Sequence, residues 1–220
     1  MAAANIPRTN GSEPVECLGD SACSVVLSKA ERLGTGFRSY DRFVVSRPDR
    51  NGQGATFERE LLRSGGAVGV LPIDFQRQQV VLTRQFRLGG HLAFDRGEMV
   101  EIAAGRIDPG ECPEDAARRE CHEEIGTHPL KLTRLFGFTP APALSDEFMI
   151  LFLAHIDAGK TSNWAGIPHE NEEIAVVRHS VADAIELLNA GLLHSGPTII
   201  ALQWLVQNCV RRDATPYIRE

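Results

Sequence analysis

The chain has 220 residues, of which 43% are hydrophobic and 24% charged, and its formal net charge at neutral pH is -6. This length suffices for one large domain or for a domain with a small appendage, and the negative charge argues against nucleic acid as a bulk electrostatic partner. No stretch approaches the roughly 18 consecutive apolar residues of a membrane-spanning helix, so no membrane association is expected.

Residues 1–30 are predicted to form a disordered tail. The segment is polar and acidic and lacks the basic region and apolar run of a secretory signal. The five cysteines of the chain form no C-x-x-C pair, and their odd number argues against a disulfide framework. Cys17 and Cys23 could ligate a metal, but lone thiols are the more ordinary interpretation. A cytoplasmic location is expected.

The next segments have the character of β-strands. Residues 36–48 and 55–63 are rich in aromatic and β-branched side chains, and Asn51-Gly52 between them is a hairpin turn signal. They predict a small antiparallel unit over residues 31–63. Residues 66–74 and 78–87 then read as two strands joined by a short polar turn.

The remaining elements predict a mixed sheet covered by helices, in a domain spanning residues 64–212. Residues 97–105 read as one strand, residues 148–156 as a strand buried on both faces, and residues 172–180 as a further strand. Residues 181–193 and 196–210 have the pattern of two amphipathic helices. Strands first, a helix between them and helices last indicate an α/β fold.

The most informative segment is residues 105–127, GRIDPGECPEDAARRECHEEIGT. Asp108-Pro109-Gly110 predicts a turn, Pro113 suits a first helical position and Gly126 is a helix stop, so the segment reads as loop, helix and stop.

A helix over this segment stacks Glu120, Glu123 and Glu124 on one face. Like charges at that spacing repel by roughly 0.2–0.5 kcal/mol per pair, and no run of lysines lies alongside, so a cation is expected. Hard oxygen ligands without nearby Cys/His pairs favour Mg²⁺ or Mn²⁺ over zinc, and Mg²⁺ commonly bridges carboxylates and substrate phosphates. The alternative is a solvated acidic helix face.

The same segment resembles the Nudix box. Gly105, Glu111, Arg119-Glu120, Glu123-Glu124 and Gly126 match its fixed positions in register, whereas Cys121 and Thr127 stand where the family prefers aliphatic residues. The similarity extends over residues 33–208 to the ADP-ribose diphosphatases of bacterial type. It implies an α/β/α sandwich of Nudix type with a mixed sheet, preceded by a small N-terminal antiparallel β unit.

The resemblance also implies roles for the acidic residues. Glu120, Glu124 and Glu172, with the backbone carbonyl of Ala104, would hold the metal ions, and Arg119 would orient Glu123 or a neighbouring carboxylate. The general base must reach the attacking water, and metal-bound glutamates are not free to do so. In the matching motif, residues 169–173, this base is Glu170. Taken alone, such an acidic loop is usually solvated surface.

Substrate contacts are implied at six positions, each of which could instead be a surface residue: Phe37, Arg59, Glu60, Arg87, Pro142 and Glu147. In the resembling enzymes the N-terminal unit exchanges between subunits, so a homodimer is expected. The loop at residues 138–147 lacks the glycines common in close relatives, and its backbone approach to the substrate ribose is expected to differ.

The expected activity is Mg²⁺-dependent hydrolysis (Mn²⁺ being possible) of the diphosphate linkage of ADP-ribose to AMP and ribose 5-phosphate. Another nucleotide-sugar substrate such as GDP-mannose is the first alternative. A Nudix-fold sensor that binds ADP-ribose without turnover is the second, and an acidic scaffolding surface without a ligand is the third.

Overall fold

A computed structural model describes residues 19–49, 51–166 and 172–209. The chain divides into two compact units, residues 1–61 and 62–220. In chain order the elements are β1 (Val26–Leu27), β2 (Glu31–Gly34), β3 (Ser39–Pro48), β4 (Gly54–Arg63), β5 (Gly66–Asp74), β6 (Gln79–Phe86), α1 (Leu88–Phe94), β7 (Glu98–Glu101), β8 (Ala103–Arg106), α2 (Pro113–Ile125), β9 (Lys131–Phe138), β10 (Phe148–His155), a 3-10 turn (Ala158–Lys160), β11 (Trp164–Ala165), β12 (Ile174–Ser180), α3 (Val181–Asn189) and α4 (Gly196–Asn208).

The first unit is the small antiparallel sheet that the sequence predicted. Its central strand β3 pairs with β1, β2 and β4. Residues 1–30 were expected to form a disordered tail. In the structure, Val26–Leu27 form strand β1, whose backbone pairs with β3. Between β3 and β4, Gly52 adopts a positive φ of 76°, as the Asn51-Gly52 turn signal requires.

The second unit is built on a mixed sheet, as expected. Its strand order is β11-β12-β6-β5-β10-β9, and β10 runs parallel to β5. The β5–β6 hairpin pairs only beside its turn, at Ile73–Val80 and Asp74–Gln79. Beyond that point the strands separate, and β8 pairs with β5 while β7 pairs with β6.

Two apolar clusters cover the two faces of this sheet, which confirms the α/β/α sandwich. One packs helix α2 on one face through residues that include Val68, Val70, Val81, Phe152, Ala117, Cys121 and Ile125. The other packs helices α3 and α4 on the opposite face through residues that include Leu71, Ile73, Leu82, Leu151, Ala184, Leu202 and Leu205. No helix in the described part of the chain is both long and apolar enough to cross a membrane.

Residues 97–105 form two strands, whereas the sequence predicted one. The chain leaves β6 after Glu101 and joins β5 at Ala103, and the buried Ile102 lies at the crossing. The amide of Ile102 donates to the Thr198 hydroxyl of α4 at 3.0 Å. This hydrogen bond satisfies a buried donor that has no strand partner. The short helix α1 and strand β9 were not predicted.

Candidate functional site

Helix α2 carries the residues that the sequence singled out. Pro113 lies in its first turn with Glu114 and Asp115, and the helix ends at Gly126, whose φ of 77° is the left-handed conformation of a C-cap. Its apolar face consists of Ala116, Ala117, Cys121 and Ile125, and Cys121 is completely buried against the sheet. A small residue therefore fits this position of the box.

Two glutamates of this helix are buried beside β8. Glu120 is 8% exposed and Glu124 is 5% exposed. The backbone amide of Ala104 donates to Glu124 Oε2 at 3.0 Å. The Glu120 carboxylate fills the space beside Gly105, because a Cβ on that glycine would overlap it. The pairing of the glycine with the glutamate fifteen positions later therefore has a steric cause.

Burial makes the charges of these carboxylates unfavourable. Burial, with smaller contributions from the charges of Glu123 and Glu172, raises the pKa of Glu120 to about 7, against the opposing hydrogen bond from Arg119. The pKa of Glu124 is raised well above its usual value, first by burial and then by the charge of Glu120. A nearby cation would relieve both effects.

Arg119 supplies part of the positive charge that was predicted beside the glutamates of α2. Its guanidinium donates to both oxygens of Glu111 at 3.0 and 2.9 Å, to Glu120 Oε1 at 2.6 Å and to Glu123 Oε2 at 2.9 Å. It also donates to the carbonyl of Arg106 at 2.9 Å. The hydrogen bond from Arg119 lowers the pKa of Glu111. Arg119 therefore fixes the outer acid of the box and two glutamates of the helix in one cluster.

Arg87, between β6 and α1, is near enough to this cluster for its charge to act on Glu124. Its Nε donates to Glu101 Oε2 at 2.7 Å, and its charge lowers the pKa of Glu124. Glu101, on β7, was missed by the sequence analysis. The available signal was an acid inside the otherwise apolar run of residues 99–104, where a charged residue requires a partner.

Glu172 and Glu173 line a cleft of about 580 Å³ together with Arg84, Gln85, Phe86, Arg87, Glu98, Trp164 and Ala175. Glu172 is close enough for its charge to raise the pKa of both Glu120 and Glu124. The expected base, Glu170, lies outside the described residues.

The acidic side chains of this site are candidate ligands for a divalent cation. Within residues 19–49, 51–166 and 172–209, no three side chains of His, Cys, Asp or Glu converge at metal-binding spacing. The acidic pair on α2, with Glu172 at the cleft, is nevertheless chemically suited to a hard cation, since its ligands are oxygens and its charge is incompletely balanced.

The remaining expected substrate contacts divide between the two units. In the first unit, Phe37 is 83% exposed, the Arg59 guanidinium lies 4.4 Å from the Phe57 ring centroid, and Glu60 accepts from Tyr40 and Arg42.

Pro142 and Glu147 belong to the second unit, in the loop before β10. Asp146 anchors this loop, because its carboxylate accepts from the amides of Ser64 and Gly65 and from Arg63 Nε. Positive φ among described residues other than glycine is confined to Gln78 and Asp95, so this loop forms its turn without that conformation.

Comparison with known proteins gives a consistent result. The sequence model of the NUDIX domain matches residues 63–199. An ADP-ribose pyrophosphatase of Escherichia coli strain K12 is 32% identical over 202 residues, which cover 91% of this chain and 92% of that protein. A GDP-mannose pyrophosphatase of Shigella flexneri is 26% identical over 182 residues, covering 82% of this chain and 94% of that protein. A solved structure described as an ADP compounds hydrolase shares the fold, with a TM-score of 0.62 and 22% identity over 86% of this chain and 98% of that one.

Proposed function

The chain belongs to the NUDIX family and is a hydrolase, and from this premise we propose that it cleaves the diphosphate linkage of ADP-ribose, with Mg²⁺, to AMP and ribose 5-phosphate. Enzymes of this family generally use divalent cations. The observation that carries the proposal is the buried pair Glu120 and Glu124, held beside β8 with its charge incompletely balanced. The similarity to an ADP-ribose pyrophosphatase along almost the whole chain supports the choice of substrate.

The proposed metal ligands are Glu120, Glu124, Glu172 and the carbonyl of Ala104. A divalent ion bound there supplies charge neutralisation for the diphosphate oxygens and for the group that leaves. Arg119 holds the carboxylates in place through its hydrogen bonds to Glu120 and Glu123.

The other chemical roles fall on groups around the cleft. Glu170 accepts the proton of the attacking water in this proposal, with Glu173 as the alternative base. Arg87 binds a phosphate oxygen, since a guanidinium that already has one carboxylate partner keeps further donors.

We further propose that the enzyme works as a homodimer in the cytoplasm. Phe37, Arg59 and Glu60 of one subunit would then complete the substrate site of the other, alongside Pro142 and Glu147. The cysteines at positions 23, 112, 121 and 209 are free thiols, which is consistent with a reducing compartment.

A second candidate substrate is GDP-mannose or another nucleotide sugar. The specific observation in its favour is the relative that is 26% identical and named GDP-mannose pyrophosphatase. The absence of glycine from residues 138–147 also favours a different approach to the sugar end. A sensor without turnover has less support, because the carboxylates of the box are retained.

The decisive experiment incubates the protein and Mg²⁺ with a panel of nucleoside diphosphate derivatives and measures phosphate after coupling to a phosphatase. Preference for ADP-ribose is expected, with AMP and ribose 5-phosphate as products. Preference for GDP-mannose would move the assignment to the second candidate. Tight binding of ADP-ribose without product would contradict hydrolysis and support the sensor.

The base is tested separately with Glu170→Gln, Glu172→Gln and Glu173→Gln. Loss of activity in Glu170→Gln with Mg²⁺ binding retained is expected. If Glu173→Gln behaves in this way and Glu170→Gln stays active, the proposed base is wrong.

A further inference from the structure

Arg178 makes an unusual set of contacts on the face of the sheet that carries α2. Its guanidinium donates to the carbonyls of Ala158, Thr161 and Ser162 at 3.3, 2.7 and 2.8 Å. It also donates to Thr161 Oγ1 at 2.7 Å and to Asn163 Oδ1 at 3.1 Å. All these acceptors are uncharged and belong to one short segment, residues 158–163. Hydrogen bonds from a charged donor are roughly twice as strong as neutral ones.

The segment held by Arg178 also contacts the C-terminal end of α2. The amide of Ser162 donates to the carbonyl of Ile125 at 3.0 Å, and its side chain fills the space beside Gly126. Four residues later, the amide of Gly166 donates to the carbonyl of Glu123 at 3.2 Å. Residues 162–166 therefore connect Arg178 on β12 with the last turn of α2.

The same segment also lies beside Glu172. Gly166 is in contact with the backbone of Glu172, so the two ends of residues 166–172 lie together. One end is attached to α2 through Gly166 and the other continues into β12, which carries Arg178. The position of the Glu172 backbone is thus linked to the end of α2 through this segment.

We infer that Arg178 is a positioning residue for hydrolysis. Its hydrogen bonds hold residues 158–163 in place, and this segment in turn keeps Gly166 and the adjacent Glu172 backbone against the end of α2. This inference rests on the proposed hydrolytic function and extends it to a residue that lies outside the box and the acidic motif. Arg178 acts through the segment and contacts neither substrate nor metal. A displacement of catalytic groups by about 1 Å can lower turnover by ~100-fold.

The test replaces Arg178 with Gln and compares it with Arg77→Gln. Arg77 anchors the other end of the same turn, since its Nη1 donates to Asp74 and to Asp157, both at 2.7 Å. Both variants lose one positive charge and one anchor of the turn, but only Arg178 contacts residues 161–163. We expect Arg178→Gln to lower kcat by roughly 10- to 100-fold with KM nearly unchanged, and Arg77→Gln to keep kcat near the wild-type value. Arg178→Lys should recover part of the loss.

Hydrogen exchange provides a readout that does not depend on the substrate. The amides of Ser162 and Gly166 should exchange faster in Arg178→Gln than in Arg77→Gln, at a temperature where circular dichroism shows both variants folded. If Arg178→Gln does not fold, Thr161→Val removes one acceptor without a change of charge and should give a smaller change of the same kind.

Equal kcat values in Arg178→Gln and Arg77→Gln, or equal exchange at Gly166, would overturn the inference and leave Arg178 a purely structural residue. Activity is followed with whichever substrate the panel identifies, so a preference for another nucleotide sugar leaves this test intact. Absence of turnover on every substrate would refute the proposed function. The exchange measurement would still show whether the hydrogen bonds of Arg178 hold residues 158–163 in place.

Discussion

At the scale of single residues, the proposed chemistry depends on the carboxylates of Glu120 and Glu124, which are held where water solvates them poorly. The spacing of Glu120 and Glu124 could be read from the sequence because a helix places such positions on one face. Their burial could not, because it depends on β8, whose Gly105 makes room for one and whose Ala104 amide binds the other. The reach of Arg119 to Glu111, eight positions away, likewise depends on the path of the loop.

Replacement of Glu124 with Gln should lower turnover by orders of magnitude while leaving the protein folded. The side-chain oxygen of the glutamine can still accept the hydrogen bond from the Ala104 amide. The substitution also removes a buried charge that is unfavourable to the fold, so the free energy of unfolding should change little. Turnover and Mg²⁺ calorimetry measure the effect. Glu114→Gln, in the first turn of the same helix, is the control and should behave as wild type. Near-normal rates in Glu124→Gln would refute the metal assignment.

Asp74 should give the protein a stability that depends on acid pH. Burial alone would raise the pKa of its carboxyl, but hydrogen bonds from the Arg77 amide, the Ala158 amide and the Arg77 guanidinium bring it below its usual value. A lowered pKa stabilises the fold above the unfolded value, about 3.9, and that contribution is lost as pH falls through the folded pKa. Asp74→Asn should therefore lower the free energy of unfolding at pH 7 by about 1–3 kcal/mol.

Urea unfolding at several pH values measures this difference. The gap between Asp74→Asn and wild type should begin to narrow as pH falls below the unfolded value of about 3.9, and it should be smallest below the folded pKa, where the Asp74 carboxyl is protonated. A gap that stays constant down to pH 2 would contradict the proposed role of the ionised carboxylate.

At the scale of elements, the helix of the box and most strands followed from local signals. Helix α2 begins at Pro113 and ends before Gly126, as expected, and the turn at residues 75–78 joins β5 to β6. The division of residues 97–105 into β7 and β8 could not be predicted, because the acceptor that satisfies the Ile102 amide is the hydroxyl of Thr198, 96 positions later. Helix α1 contains Gly89 and Gly90, which are poor helix formers, so no local signal predicts it.

The end of α2 should be sensitive to any side chain at Gly126. Gly126 and Gly110 both have positive φ, at 77° and 85°, but a Cβ on Gly126 would overlap Ser162, whereas nothing lies within 4 Å of one on Gly110. Gly110→Ala should lower the free energy of unfolding by about 1–2 kcal/mol through backbone strain alone, and Gly126→Ala by clearly more. Thermal and urea unfolding compare the two. Equal losses would show that the contact with Ser162 contributes nothing.

At the scale of the whole molecule, the first unit is a sheet that buries almost none of its described side chains. Among its described residues, only Asp41 is buried, and no hydrophobic side chain before Ala67 belongs to the core. Its exposed apolar side chains are Val25, Val26, Leu27, Leu33, Phe37, Tyr40 and Val44. Exposed apolar patches commonly mark interaction sites, and this observation supports the proposed homodimer.

Sedimentation should give a mass of twice the 24.1 kDa of one chain. If the first unit of one subunit completes the site of the other, a mixture of Arg59→Ala and Glu124→Gln chains should regain activity that neither variant has alone. Random exchange of subunits predicts recovery of about a quarter of the wild-type rate, because half of the dimers are mixed and each has one intact site. If the mixture forms dimers but regains no activity, the proposal that the two subunits share their sites is wrong, while the proposal of a dimer is not affected.

The parallel pairing of β5 with β10, in which Gly66 lies opposite Phe148, has a consequence for synthesis on the ribosome. Helix α2 leaves the exit tunnel before β10 and β12 have emerged from it, so the nascent chain displays its apolar face without the complete sheet that later covers it. Contacts so distant along the chain also form slowly. Chains truncated before residue 180 should consequently depend on chaperones or be degraded.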